Sequence, residues 1–192
     1  MSPALEREIK LKFDSPGAAR GAVHAIGARL SKPRRVQRDA LFDTEERGLS
    51  ARQQVLRLRM EEGRGFVTFK SPAYHPTLKL REELETTVGD GQVLGDILER
   101  AGFHVWFRYE KYREEFVLDN VVIAVDETPV GTFVEIEGSE RGITDAAAAL
   151  GRGPTDYVVD SYRTLFVQYC EARGLSATHM TFDVSDDVAA RD

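Results

Sequence analysis

Residues 5–13 place Glu6, Glu8, Lys10 and Lys12 at alternate positions, with Leu5, Arg7, Ile9, Leu11 and Phe13 between them. Successive side chains of an extended chain point to opposite faces, so one face of this segment is entirely charged, in both signs. The pattern returns down the chain. Residues 77–88 set Lys79, Arg81, Glu83 and Glu85 against Leu78, Leu80, Leu84 and Val88. Residues 55–61 set Arg57, Arg59 and Glu61 against Leu56, Leu58 and Met60. Thr68 and Lys70 oppose Val67 and Phe69, Lys111 and Arg113 share a face, and Glu135 and Glu137 oppose Val134 and Ile136. One such strand is explained by a half-exposed sheet. A whole set of nearly pure charged faces is better explained by a closed barrel. Its apolar faces point outward beneath helices, and its ionic faces line a water-filled tunnel. An interior of charges is costly unless they pair or bind something. Rows of Lys and Arg suit a polyanion, and clustered carboxylates suit a divalent cation that accompanies it.

The remaining punctuation fits about eight strands, mostly antiparallel, with helices between them. A helix is expected over 16–30, capped by Ser15, begun by Pro16 and carrying Ala18, Ala22, Val23, Ile26 and Leu30 at helical spacing. A strand follows at 36–43. Strands 55–61 and 65–70 meet at a tight turn over 62–64. A second helix spans 90–101 and stops at Gly102. Strands 105–118 and 121–126 form a hairpin around Asp119 and Asn120. A further strand covers 132–138, and helices cover 144–150 and 161–172. The fold class is therefore α+β: an eight-stranded closed barrel with a charged lumen and flanking helices. The domain is taken as 1–174. Residues 175–192 lose hydrophobic periodicity and turn acidic at Asp183, Asp186, Asp187 and Asp192, which reads as a tail or loosely docked extension.

Composition removes several classes of function. Lys and Arg number 26 against 32 Asp and Glu, giving a net charge of −6, so general nucleic-acid binding is not expected. The one cysteine, Cys170, excludes an internal disulfide framework and multi-cysteine zinc sites. No apolar window has the length of a membrane span, and the charges in the first ten residues do not suit a signal peptide, so a cytoplasmic protein is expected. His24, His75, His104 and His179 lack metal-ligand spacing. Ser71 has no nearby His–Asp arrangement, and Gly63 and Gly65 flank a hairpin rather than opening a helix. Trp106 and Phe107 read as core, with framing of a ring at a tunnel mouth as the alternative.

Glu6-Arg7-Glu8-Ile9-Lys10 is an ExExK motif that opens the first strand. Phe42-Asp43-Thr44, Leu56-Arg57-Leu58-Arg59, Thr68-Phe69-Lys70 with Pro72, and Arg81-Glu82-Glu83-Leu84-Glu85 follow in order. Then come Lys111-Tyr112-Arg113, Asp126-Glu127, the segment from Gly131 through Glu135 to Glu137, and Ser161-Tyr162. This series resembles the CYTH superfamily of triphosphate tunnel metalloenzymes, from about Glu6 to Cys170. The family often has Tyr before the FDT segment, where this chain has Leu41, and often Lys before the Ser-Tyr pair, where it has Asp160.

The resemblance implies that Lys10, Arg57, Arg59, Lys70, Arg81, Lys111 and Arg113 cradle a triphosphate. It implies that Glu6, Glu8, Asp126, Glu135 and Glu137 bind Mg²⁺ or Mn²⁺, with Glu83 and Glu85 in a supporting shell. Glu6, Glu8, Lys10 and Arg59 are the catalytic candidates. Lys12, Lys79 and Glu61 are read as ordinary salt bridges on wet faces. The motif layout is most similar to class IV adenylyl cyclases, which convert ATP to cyclic AMP and pyrophosphate. The alternative is a triphosphatase acting on tripolyphosphate, thiamine triphosphate or a nucleoside triphosphate. A non-catalytic sensor of phosphorylated ligands would leave the carboxylates without purpose. The resemblance also hints at a homodimer.

Overall fold

The computed structural model describes residues 4–73 and 79–182. Eight strands run in the order β1 (Ala4–Phe13), β2 (Arg29–Asp43), β3 (Val55–Glu61), β4 (Arg64–Ala73), β5 (Lys79–Val88), β6 (His104–Leu118), β7 (Val121–Thr128) and β8 (Gly131–Glu137). They close into a barrel with the neighbour order β1-β5-β4-β3-β2-β6-β7-β8. Every ladder is antiparallel, as the tight hairpins demand. Between strands lie α1 (Pro16–Ala25), α2 (Gly48–Ala51) and α3 (Gly91–Arg100), and α4 (Glu140–Ala149) and α5 (Tyr162–Glu171) follow the barrel. Among the described residues, no helix is long and apolar enough to cross a membrane.

The alternation predicted from sequence is what orients the wall. Ile9, Leu11, Ile123, Val125, Val134 and Ile136 point outward, where Ala19 and Val23 of α1 and Ile143, Ala146 and Ala147 of α4 bury them. Each such aliphatic side chain, wholly removed from water, contributes about 2 kcal/mol. Ala40, Phe42 and Leu58 are covered in the same way by Leu94 and Leu98 of α3. α3 sits so close to β4 that a Cβ on Gly65 would lie 2.9 Å from Gly91 Cα. A third cluster joins Leu41, Phe107 and Phe133 of the strands to Tyr162, Phe166 and Cys170 of α5. Cys170 is thus a buried core residue, and Phe107 is core as expected.

Side-chain caps set the helix starts, and of these only Ser15 was named from the sequence. Ser15, Asp90, Ser139 and Ser161 each accept a backbone hydrogen bond from the first turn of their helix. The first helix is shorter than the spacing predicts, because Gly27 adopts φ +82° and ends it. Leu30 is therefore not on a helix face. It belongs to β2, which begins at Arg29, and it is exposed. Ser139 likewise starts α4 four residues earlier than the apolar spacing indicates. The β3–β4 turn carries Glu62 and Gly63, both at positive φ, as a two-residue hairpin loop requires. Residues 74–78, with His75, Thr77 and Leu78, and the acidic stretch from Asp183 lie outside the described residues.

Beyond α5 the chain returns to β6. The Met180 N–H donates to Arg108 O at 3.0 Å, and Met180 O accepts from Glu110 N at 2.9 Å. Met180 is fully buried. This segment covers β6 where its pairing with β7, which starts at Tyr112, has not yet begun.

Candidate active site

The barrel encloses a cavity of about 800 Å³. Nine of its lining side chains are Lys or Arg and six are Glu, within a protein of net charge −6. Every predicted site residue except Asp126 lines it, and Asp126 is fully buried against Lys111 and Arg113, which do.

Register explains the convergence. Lys10 faces Glu135 across the β1–β8 seam, and Glu8 faces Glu137. On the other side of β1, Glu6 faces Arg81 and Glu8 faces Lys79. Lys70 faces Glu83 across β4–β5, and Arg57 and Arg59 face Leu41 and Asp39 across β2–β3.

The buried charges are met by opposite charges. Lys10 Nζ lies 3.0 Å from Glu8 Oε1 and 3.2 Å from Glu135 Oε1. Arg113 grips Asp126 with two bonds of 2.7 and 2.6 Å and also reaches Glu135. Lys111 Nζ donates to Asp126 Oδ2 at 2.8 Å. Lys70 Nζ bonds both Glu6 oxygens at 2.7 and 2.6 Å and lies 3.1 Å from Glu83. Arg57 donates to Thr68 Oγ1 at 2.9 Å and to Glu85 at 3.2 Å. Among the described residues, Arg81 makes no ion pair.

Several side chains at the site escaped the sequence reading. Asp39, with a fully buried carboxylate, accepts from Arg59 at 2.9 and 3.3 Å and sits 3.4 Å from Arg57 Nε. Its position one turn of alternation before the FDT segment was the available signal. Tyr162 is more than the start of a helix: its hydroxyl donates to Asp126 at 2.6 Å, and its ring lies beneath Lys10 and Lys111 at 5.2 and 5.0 Å. Lys79, read as a wet-face residue, lines the cavity and pairs with Glu8. Glu61 is a salt-bridge residue as expected, held by Arg35 and Gln37 beyond the cavity. Lys12 is exposed.

Electrostatics separate the groups. Burial pushes the Glu8 carboxyl up, but Lys10 and Lys79 outweigh it and hold the group well below the usual carboxylate range. Burial, reinforced by Lys10, lowers Lys79 to about 8. Burial, reinforced by Arg113, lowers Lys111 to about 8. Glu137 goes the other way: burial and the neighbouring Glu6 and Glu8 raise it to about 7.

Two observations bear on ligands. Arg57 Nε is buried with no hydrogen-bond partner, a donor that a phosphate oxygen would satisfy. Among the described residues no three carboxylates stand as a ready ligand cluster. Glu6, Glu8 and Glu137 nevertheless crowd one another enough to raise Glu137, a repulsion that a hard divalent cation relieves. Glu6 is held by Lys70 and Glu8 by Lys10 and Lys79, just as Asp126 and Glu135 are held by Arg113, so such an ion would share these oxygens with the lysines.

Comparisons with known proteins agree with this architecture. Residues 4–151 match the CYTH domain model. A Methanocaldococcus jannaschii protein provisionally named adenylate cyclase is 29% identical over 142 residues, covering 73% of this chain and 81% of that one. A Vibrio parahaemolyticus structure, also provisionally named adenylate cyclase, superposes with TM-score 0.76 at 19% identity, covering 86% of this chain and 99% of that chain. A Hippeastrum structure whose description reports a dominant triphosphatase activity superposes at TM-score 0.63 and 21% identity, covering 85% and 96%. The chain, an eight-stranded barrel around a lumen of paired charges, belongs to the CYTH domain family.

Proposed function

We propose that this protein is a divalent-metal-dependent enzyme that binds a triphosphate in its barrel and converts ATP to cyclic AMP and pyrophosphate. The observation that carries the reading is a cation-rich cavity inside an acidic protein. That local excess of positive charge concentrates a polyanion and orients it. Arg57 Nε, buried without a hydrogen-bond partner beside Asp39, and Arg81, which makes no ion pair among the described residues, supply donors for phosphate oxygens. Lys10, Arg57, Arg59, Lys70, Lys111 and Arg113 lie around them as the rest of the cradle. Arginine offers a flat fork of N–H donors and lysine a compact charge.

Glu6, Glu8 and Glu137 would hold Mg²⁺ or Mn²⁺, with Glu135 and Asp126 the further oxygen donors. When bound, the ion neutralises phosphate oxygens and activates the attacking group. In cyclisation the ribose 3′-oxygen forms its bond to the α-phosphorus as the bond to pyrophosphate breaks, and the hydroxyl proton departs. The protein's part is positioning and charge stabilisation. Arg59, tied to Asp39, and Lys10, tied to Glu8 and Glu135, are held in place before substrate arrives.

Hydrolysis of a triphosphate is the second reading, favoured by the activity described for the Hippeastrum relative. Purified protein incubated with Mg²⁺ or Mn²⁺ and, separately, ATP, tripolyphosphate or thiamine triphosphate distinguishes the two. Cyclic AMP with pyrophosphate supports the cyclase. Orthophosphate release in its place moves the assignment to a triphosphatase. Binding without turnover defeats both.

A further inference from the structure

Trp106 of β6 and Arg163 of α5 both line the cavity. The guanidinium carbons of Arg163 and of Arg47, in the turn before α2, each lie 4.6 Å from the centroid of the Trp106 ring. Among the described residues, neither arginine makes an ion pair. Most other cations lining the cavity project from strands and are met by carboxylates, whereas these two exposed arginines lie against the indole. Partial desolvation against the protein surface and the charge of Arg47 together disfavour the charged form of Arg163.

An indole face steadies a guanidinium by cation–π attraction and leaves its in-plane N–H edge free. Two like charges fixed beside one ring repel, and a tetrahedral anion between their free edges relieves that repulsion. A cavity of about 800 Å³ is in the range that encloses a drug-sized ligand, so a chain longer than three phosphoryl groups fits. We propose that Arg47 and Arg163, held against Trp106, form a second anion subsite at the rim, which takes a fourth phosphoryl group on a chain whose first three lie among the strand cations. This rests on the triphosphate reading and adds chain-length selectivity to it.

Isothermal titration with linear tripolyphosphate and linear tetrapolyphosphate tests the idea, first with EDTA and again with Mg²⁺. The intact protein is expected to bind the tetraphosphate about tenfold more tightly than the triphosphate, the size of one added charge-assisted contact. Arg47→Ala and Arg163→Ala should each remove most of that gain, leaving the triphosphate affinity within about twofold and the melting temperature within a few degrees. Arg163→Lys should recover part of the gain, because it keeps the charge without the flat fork. Equal affinity of the intact protein for the two chains would overturn the subsite, as would an equal loss for both chains in the alanine variants. ATP titrated in parallel gives a further check: a loss confined to ATP would make the rim a platform for the base and overturn the phosphate assignment. If neither chain binds in either condition, the triphosphate reading itself falls.

Discussion

The Tyr162 hydroxyl donates a 2.6 Å hydrogen bond to Asp126, a carboxylate fully shielded from solvent that also receives Lys111 and Arg113. One tyrosine from α5 thus fastens a helix to the charged interior. Tyr162→Phe keeps the ring over Lys10 and Lys111 but leaves one Asp126 lone pair without its donor. The expected cost is about 1–2 kcal/mol in urea unfolding, together with reduced turnover. An unchanged unfolding midpoint would show that the contact carries no stability.

Asp39 should prove a structural keystone for the cradle. Replacement by Ala strands Arg57 and Arg59, whose side chains are 10% and 12% exposed, without their shared carboxylate. Breaking a buried pair in this way costs about 3–5 kcal/mol. Asp39→Ala is expected to melt well below the parent and to weaken triphosphate binding. Asp39→Asn, which retains shape and an acceptor oxygen, should recover part of the stability.

Glu6 and Glu8 should part company on substitution. Glu6→Gln loses an ion pair with Lys70, but Lys70 keeps Glu83 at 3.1 Å. It is expected to abolish metal-dependent turnover with a melting temperature within a few degrees. Glu8→Gln leaves Lys10 and Lys79 facing a neutral group in a buried site, so it should lower stability as well. Thermal melts paired with a metal-titrated assay check both. Full activity of Glu6→Gln at the original metal requirement would remove Glu6 from the ligand set.

Acid should unfold the protein partly through the far end of the lumen. Burial pushes Glu61 and Glu115 up, but Arg35 and their other hydrogen-bond donors win and hold both carboxyls below their ordinary value. A depressed folded-state pKa stabilises above the unfolded value, and that stability is lost as the pH falls through the folded value. The melting temperature should therefore decline from about pH 5 downward. Arg35→Met should flatten that decline while lowering stability at neutral pH. An identical slope in the variant would exclude these pairs as a source of acid sensitivity.

Most of the barrel could be read because its signal is local. The alternation in Glu6, Glu8 and Lys10 and in Arg57 and Arg59 fixes which face is ionic, and a closed sheet leaves that face one place to go. Strand bounds such as 55–61 needed only the turn at Glu62 and Gly63. The failures are non-local. Leu30 satisfied helical spacing, and only the backbone reversal at Gly27 moved it into β2. Asp39 carries no pattern of its own, and the Ser161-Tyr162 pair marks a helix start without showing that the tyrosine hydroxyl reaches Asp126. Lys79 looked like one more charge in water, and its role depends on facing Glu8 across the β1–β5 ladder. Met180 reaches β6 through two backbone bonds, which are invisible to side-chain periodicity.

The β1–β8 seam joins residues 8–13 to residues 132–137, almost the two ends of the barrel's sequence. Such distant pairing is slow to form, because a long loop must close before its contacts repay the entropy. During synthesis, Lys10 cannot meet Glu135 until the residues between them have all emerged. The ligand chamber is thus among the last things this chain builds, and nascent fragments ending before β8 would keep their ionic stripes hydrated and inert.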